Sequence, residues 1–244
     1  MITRNQIKYI RSLRLKKNRD MHNCFVVEGE KIVAELLKSD FNVKAIFATK
    51  NWEQSAENTI QVNIVSEKDL KRISALKSPN KVVVITEIPQ KYFDVFSIKK
   101  GLTLALEDIN NPGNLGTIIR ACDWFGIKNI ICSNSSVDIY NPKVIQATMG
   151  SFLRVNVYYD NIKEIIKKFP NNFSIYGAFI DGKNISTLDL NPNALLVLGN
   201  ESFGISNKLS KLITEKITIK SKKAGVESLN VAIATSILLY EFNR

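Results

Sequence analysis

LTLALEDINNPGNLGTIIRACDWFGI, residues 102–127, sets the organisation of the chain. An apolar run ends at an acidic pair, Glu107 and Asp108. A loop of turn residues follows, then a segment with apolar residues at helical spacing that carries one arginine, Arg120. Strand, turn-rich crossing and helix in that order make the repeating unit of an α/β fold. In the crossing, Pro112 fixes its own φ and biases Asn111 away from helix. Gly113 supplies positive φ or close backbone approach, and Asn114 is suited to cap a helix expected over Leu115–Phe125.

The alternation extends outward in both directions. Towards the C-terminus, KNIICS (128–133) reads as a strand, PKVIQATMG as a helix, RVNVYY (154–159) as a strand, IKEIIKKF as a helix and SIYGAFI (174–180) as a strand. ALLVLGN (194–200) is nearly continuously apolar, the pattern of a strand buried on both faces of a parallel sheet. Helix-like NKLSKLI, strand KITIK (216–220) and a helix over Ser228–Phe242 follow. Towards the N-terminus, Ile7, Ile10, Leu13 and Leu15 among basic residues predict an amphipathic basic helix over Thr3–Lys17. Strands are then expected at CFVVEG (24–29), VKAIFAT (43–49), QVNIVS (61–66) and KVVVITEI (81–88). Helices are expected at EKIVAELLKS (30–39), NWEQSAEN (51–58) and SEKDLKRISAL (66–76). Pro89 and Gly101 bracket a basic, aromatic stretch that fits a linker. Two α/β domains, 1–95 and 96–244, are the expectation.

Composition narrows the function classes. The chain of 244 residues is 45% hydrophobic and 23% charged, an ordinary globular balance. No apolar run approaches the roughly 20 residues of a membrane helix, and the N-terminus lacks the apolar centre of a signal peptide. Cys24, Cys122 and Cys132 form neither a CxxC pair nor a disulfide framework, so a cytoplasmic protein is expected. His22 is the only histidine, which leaves histidine-based hydrolysis and histidine-rich zinc sites without material, and no metal is expected. The net charge is +11. Residues 1–100 hold 19 Lys and Arg against 11 Asp and Glu, whereas residues 101–244 hold 15 against 12. A polyanion, most simply nucleic acid, accounts for that N-terminal bias; lysine enrichment for solubility also yields it.

Ligands of open α/β sheets collect beyond the carboxyl ends of the strands. Three loops there are rich in special residues: NNPGNLGT (110–117), LGNESFGIS (198–206) and the Ser228-Leu229-Asn230 entry to the last helix. Taken singly, each reads as an ordinary helix cap or an acid near a helix N-terminus. The first lacks both GxGxxG and GxxxxGK[ST], which removes the usual phosphate-loop and dinucleotide-enzyme readings.

Taken together, NPGNLGTIIRACDWFGI, VLGNESFGIS and ESLNVAIATSILLYE resemble, in order and spacing, the three motifs of the SpoU (TrmH-like) class of RNA methyltransferases in the SPOUT superfamily. FVVEGEKIVAELL is similar to the small α/β substrate-binding domain, related to ribosomal protein L30e, that many members carry. The resemblance implies transfer of a methyl group from S-adenosylmethionine to a ribose 2′-hydroxyl of rRNA or tRNA, with rRNA preferred. It assigns Asn114, Arg120, Glu201, Ser228 and Asn230 to the catalytic site, and Gly199, Ile219 and Leu229 to the donor pocket. It also implies a deep trefoil knot in the C-terminal domain and a homodimer formed through that domain. Arg120 stays charged near neutral pH and suits phosphate binding and stabilisation of a developing alkoxide, oriented by Glu201 and Asn114. Helix 3–17 and the basic residues from Lys68 to Lys77 suit RNA phosphates. One departure stands out: Ile219-Lys220-Ser221 occupies the place of the family's Ile-Pro-Met. The other function class kept open is a non-catalytic RNA-binding protein with a degenerate donor site.

Overall fold

The computed structural model describes residues 2–52, 60–90, 93, 101–222 and 228–244. Contacts divide the chain into two compact units, Met1–Gln90 with Asp138–Leu153, and Lys91–Val137 with Arg154–Arg244.

The first unit carries helices α1 (Arg4–Ser12), α2 (Lys16–His22), α3 (Glu30–Leu36) and α4 (Glu67–Ile73) and strands β1 (Cys24–Glu28), β2 (Val43–Ala48), β3 (Val62–Ile64) and β4 (Val82–Glu87). The strands form one sheet in the order β1-β4-β2-β3, antiparallel except for the β2–β3 pair. Ile7, Ile10 and Leu13 pack with Cys24, Val26, Phe47, Leu70 and Val83 in one core. Because strand side chains alternate, Phe25 turns the other way. It meets Phe41, Tyr140 and Phe152, the last two contributed by the 138–153 excursion. The short helix Pro142–Thr148 packs on β1, which explains why contacts group that excursion with the N-terminal unit.

The helix expected over Thr3–Lys17 is two helices. Thr3 and Gln6 form a reciprocal capping box at its start. The break after Leu13 frees carbonyls that side chains then satisfy. Arg19 Nη1 donates to the carbonyls of Leu13 and Arg14, both at 2.9 Å, and Asn18 Nδ2 donates to that of Ser12 at 2.9 Å. Arg19, only 2% exposed, also donates from Nε and Nη2 to Asp138 Oδ2 at 3.0 and 2.6 Å. Leu15 is consequently exposed rather than in the core. Among the described residues, Glu28 is the other buried charge-bearing group of this unit. Burial raises its pKa, opposed by hydrogen bonds from the Ser74 hydroxyl and the Ala75 N–H and by the charge of Arg14. The short helix expected near residues 51–58 and most of the 89–101 linker lie outside the described residues.

The second unit contains β5 (Thr103–Leu106), α5 (Pro112–Trp124) and β6 (Asn129–Cys132). After α6 (Pro142–Thr148) in the excursion come β7 (Asn156–Tyr159), α7 (Ile162–Ile166), β8 (Ser174–Asn184), β9 (Ala194–Leu198), α8 (Asn207–Ser210), β10 (Glu215–Thr218) and α9 (Val231–Phe242). All six strands are parallel, in the order β10-β8-β9-β5-β6-β7. The two central strands, β5 and β9, are buried along their whole length, as their apolar runs require. Ala105, Leu195 and Val197 face a core with Ile162, Ile165, Ile205 and Leu209. Leu104, Leu106, Leu196 and Leu198 alternate to the opposite face, and α5 and α9 pack on one another. Parallel strands put all their carboxyl ends on one edge of the sheet, and the three motif loops leave from that edge.

Candidate active site

Strand β5 is followed directly by the acidic pair that opens the first loop, and both residues have partners. Asp108 adopts a left-handed backbone, φ 56°, uncommon for a side-chain-bearing residue. A serine cluster beyond β6 holds it there. The Asp108 N–H donates to Ser133 Oγ at 2.9 Å, and the Ser133 and Ser135 hydroxyls donate to Asp108 Oδ1. The Ile109 N–H donates to Ser136 Oγ at 3.1 Å. The chain is thereby turned towards α5, which starts three residues earlier than its apolar spacing predicts. Asn111 is the N-cap, with Oδ1 accepting from the N–H groups of Gly113 and Asn114, and Pro112 fills the first helical position, where no donor is needed. Asn114 is therefore not the cap. It sits in the first turn of the helix with its amide free for other partners.

Those partners come from the other two loops. Asn114 Nδ2 donates to Glu201 Oε1 at 2.8 Å, across 87 residues, and Asn230 Nδ2 donates to Asn114 Oδ1 at 3.0 Å, across 116. Asn230 is itself the N-cap of α9, its Oδ1 accepting from Ala232 and Ile233. A carboxamide, with an N–H donor on one arm and an acceptor oxygen on the other, can serve both neighbours in this way. One polar chain, Asn230 to Asn114 to Glu201, thus joins the three motif loops.

The loop after β9 is closed on itself. Asn200 and Gly204 exchange both backbone hydrogen bonds, at 3.0 and 2.9 Å. Asn200 Oδ1 accepts from the Ser202 and Phe203 N–H groups at 2.8 and 3.2 Å, while its Nδ2 donates to the Asp108 carbonyl at 2.8 Å. The far end is held by Glu107, whose Oε2 accepts from the Ser206 N–H at 2.8 Å. Gly204 has φ +67°, and a Cβ on Gly199 would lie 2.1 Å from the Gly204 carbonyl carbon. Sterics require glycine at position 199, and the left-handed backbone favours it at position 204. The roles of Glu107, Asp108, Asn111 and Asn200 are absent from the motif reading. Their signals were present, in the Asn-Pro dipeptide and in asparagine four residues before glycine, but their partners lie in distant segments.

The remaining candidates are placed as follows. Arg120 lies on α5, exposed, with no hydrogen-bond or ion-pair partner among the described residues. It is six positions beyond Asn114, about 9 Å along the axis and a third of a turn around it. Neither Asn114 nor Glu201 therefore holds its side chain in this structure. Ser228 and Leu229 are exposed on the approach to Asn230. Gly199 directly follows β9, and Ile219 directly follows β10, so both leave the same edge of the sheet with only β8 between their strands. Burial pushes the thiols of Cys122 and Cys132 well up, which keeps both protonated and leaves them to the core. Among the described residues no cluster of histidine, cysteine and carboxylates could hold a metal ion, and no helix is long and apolar enough to cross a membrane.

Residues 101–240 match the model of the SpoU rRNA Methylase family, and residues 4–84 match that of the MRM3-like substrate binding domain. The chain belongs to the SpoU rRNA Methylase family. It is 27% identical to the 23S rRNA (guanosine(2553)-2'-O)-methyltransferase RlmP of Bacillus subtilis, with 96% of this chain and 94% of that protein aligned. Among solved structures, a protein of Porphyromonas gingivalis assigned to the TrmH family of RNA methyltransferases superposes with a TM-score of 0.90 at 38% identity, over 99% of this chain and 98% of that one. An AdoMet-bound rRNA methyltransferase of Sinorhizobium meliloti gives 0.86 at 28%, over 99% and 95%.

Proposed function

We propose that the protein transfers a methyl group from S-adenosylmethionine to a ribose 2′-hydroxyl of structured RNA, ribosomal RNA before transfer RNA. The observation that carries this reading is the chain Asn230–Asn114–Glu201, which gathers all three motifs at the carboxyl edge of a parallel sheet. Family membership and the AdoMet-bound relative support it. The residues fit the donor: the closed Gly199–Ser206 loop has a backbone with no room for a Cβ at Gly199, and Ile219 and Leu229 supply apolar surface for an adenine.

The donor supplies a methyl group already activated on a sulfonium. The acceptor's 2′-oxygen would form the new bond to that carbon as the carbon–sulfur bond breaks, the thioether leaving with that bond's electron pair and the hydroxyl proton passing to water. The protein's task is alignment and charge stabilisation. Arg120 binds the RNA phosphate beside the target ribose and stabilises developing alkoxide charge; it is exposed and unpaired among the described residues, ready for that contact. Asn114 fixes Glu201 and Asn230, and Ser228 lies at the same helix entry. Residues 1–95 act as the RNA-binding domain and 96–244 as the methyltransferase domain, a division supported by the spans of the two family models. The C-terminal domain forms a deep trefoil knot and a homodimer; exposed Trp124 on α5 and Ile233 and Tyr240 on α9 are apolar surface suited to a second copy. The protein works in the cytoplasm.

The test is transfer of labelled methyl to unmodified 23S rRNA transcript and to tRNA, with nucleoside analysis for 2′-O-methyl product. Arg120→Ala should lose about 10²–10³ in rate with unchanged thermal stability. Absence of both transfer and calorimetric donor binding would leave the non-catalytic RNA-binding reading, with Lys220-Ser221 as the point of failure.

A further inference from the structure

The loop between β9 and α8 combines two properties that seldom meet. It is tightly organised, with the paired Asn200–Gly204 backbone, the two N–H groups gathered by Asn200 Oδ1, and an anchor at each foot from Asp108 and Glu107. Yet its tip displays Phe203, 90% exposed, flanked by Ser202 and Gly204. A single surface aromatic is ordinary on a flexible loop. Here the ring is carried on a hydrogen-bonded frame, and the frame is the one that delivers Glu201 to Asn114.

We infer that Phe203 is a stacking platform for a nucleobase of the RNA, next to the nucleotide whose ribose is methylated. The inference rests on the methyltransferase reading and adds a base contact to it. Proteins that bind unstacked RNA hold bases on aromatic rings, and a phenyl ring accepts any base because every base has a π-face. The neighbouring Glu201 carboxylate repels phosphate, so an uncharged base is the part of the RNA suited to this tip. A rigid platform also loses little conformational freedom when the base docks.

The test uses the full-length protein and unmodified 23S rRNA transcript. Phe203→Ala should lower kcat/KM for RNA by about 5- to 150-fold, the range for loss of one base–aromatic stack. S-adenosylmethionine affinity, thermal stability and the mass in sedimentation should stay at wild-type values. Phe203→Tyr and Phe203→Trp should retain activity, whereas Phe203→Leu should behave like the alanine variant. The tryptophan variant supplies a readout independent of catalysis: its added fluorescence should be quenched as RNA saturates the protein, with wild type as the blank. Quenching in a preparation that transfers no methyl would sustain the stacking site and remove the methyl-transfer reading. Wild-type kinetics in the leucine variant, unquenched fluorescence at saturation, or a changed mass for the alanine variant would each overturn the inference. The last outcome would assign the ring to contact with a second copy.

Discussion

Asn114→Asp changes the site by little more than one amide nitrogen for oxygen, and it tests whether the bridge through Asn114 sets the catalytic geometry. The substituted side chain still accepts from Asn230. Towards Glu201 it replaces a donor at 2.8 Å with an oxygen that carries negative charge. A hydrogen bond to a charged group contributes about 1.5–3 kcal/mol, and two like charges about 4 Å apart in water repel by about 1 kcal/mol. Solvent exposure of Glu201 holds the net effect towards the low end, about 2–3 kcal/mol. At about 1.4 kcal/mol per factor of ten, kcat/KM should fall roughly 30- to 150-fold. Single-turnover methyl transfer to 23S rRNA transcript measures the loss, and calorimetry with S-adenosylmethionine separates it from donor binding. Adding Glu201→Gln restores a donor facing the new carboxylate, with the polarity of the contact reversed. The double variant should therefore be no slower than Asn114→Asp alone. Strictly multiplicative losses, or a wild-type rate for Asn114→Asp, would refute the argument that this contact positions the site.

Two further outcomes follow from other parts of the molecule. Gly199→Ala places a methyl about where the Gly204 backbone already lies, so it should cost about 1–3 kcal/mol in thermal or denaturant melts and weaken S-adenosylmethionine binding by about tenfold or more; wild-type affinity by calorimetry would remove Gly199 from the donor pocket. Glu28 binds its proton more tightly in the folded protein than in the unfolded chain, so its contribution to stability is most favourable below the ordinary carboxylate pKa and declines as pH rises through the raised value. Glu28→Gln should accordingly gain melting temperature relative to wild type between about pH 4 and pH 7, and a difference that shrinks over that range would contradict a raised pKa.

Most strands are legible in the sequence because β-branched and apolar runs act over a few residues. The fully buried strands β5 and β9 correspond to TLAL and ALLVL, and only their ends required the structure. Helix starts were less legible where two residues compete for one role. Asn111 and Asn114 are both suitable caps by local preference. Asn111 takes the role because its Oδ1 accepts from the Gly113 and Asn114 N–H groups, which seats Pro112 at the first helical position, where its fixed φ suits the helix and its missing N–H costs nothing. The break at Leu13 was hidden for a different reason. Nothing local stops the helix there; Arg19 and Asn18 take up the freed carbonyls, and Arg19 is held in turn by Asp138, 119 residues away.

The sequence by itself determined the family, through three motifs whose residue types and order are characteristic, and two α/β segments, the second of which carries all three motifs. It determined the need for glycine at position 199 and the preference for it at position 204 only in the weak sense that glycine is there. Tertiary structure alone decided what those motifs do to one another. Asn114, Glu201 and Asn230 meet because the sheet order places β9 beside β5 and because α9 packs on α5. Local propensity extends over a turn or a strand, whereas the contacts that build this site span 87 and 116 residues. Their geometry is a property of strand order and helix packing, and that is why Arg120 could be read as a motif residue but its freedom from Glu201 could not.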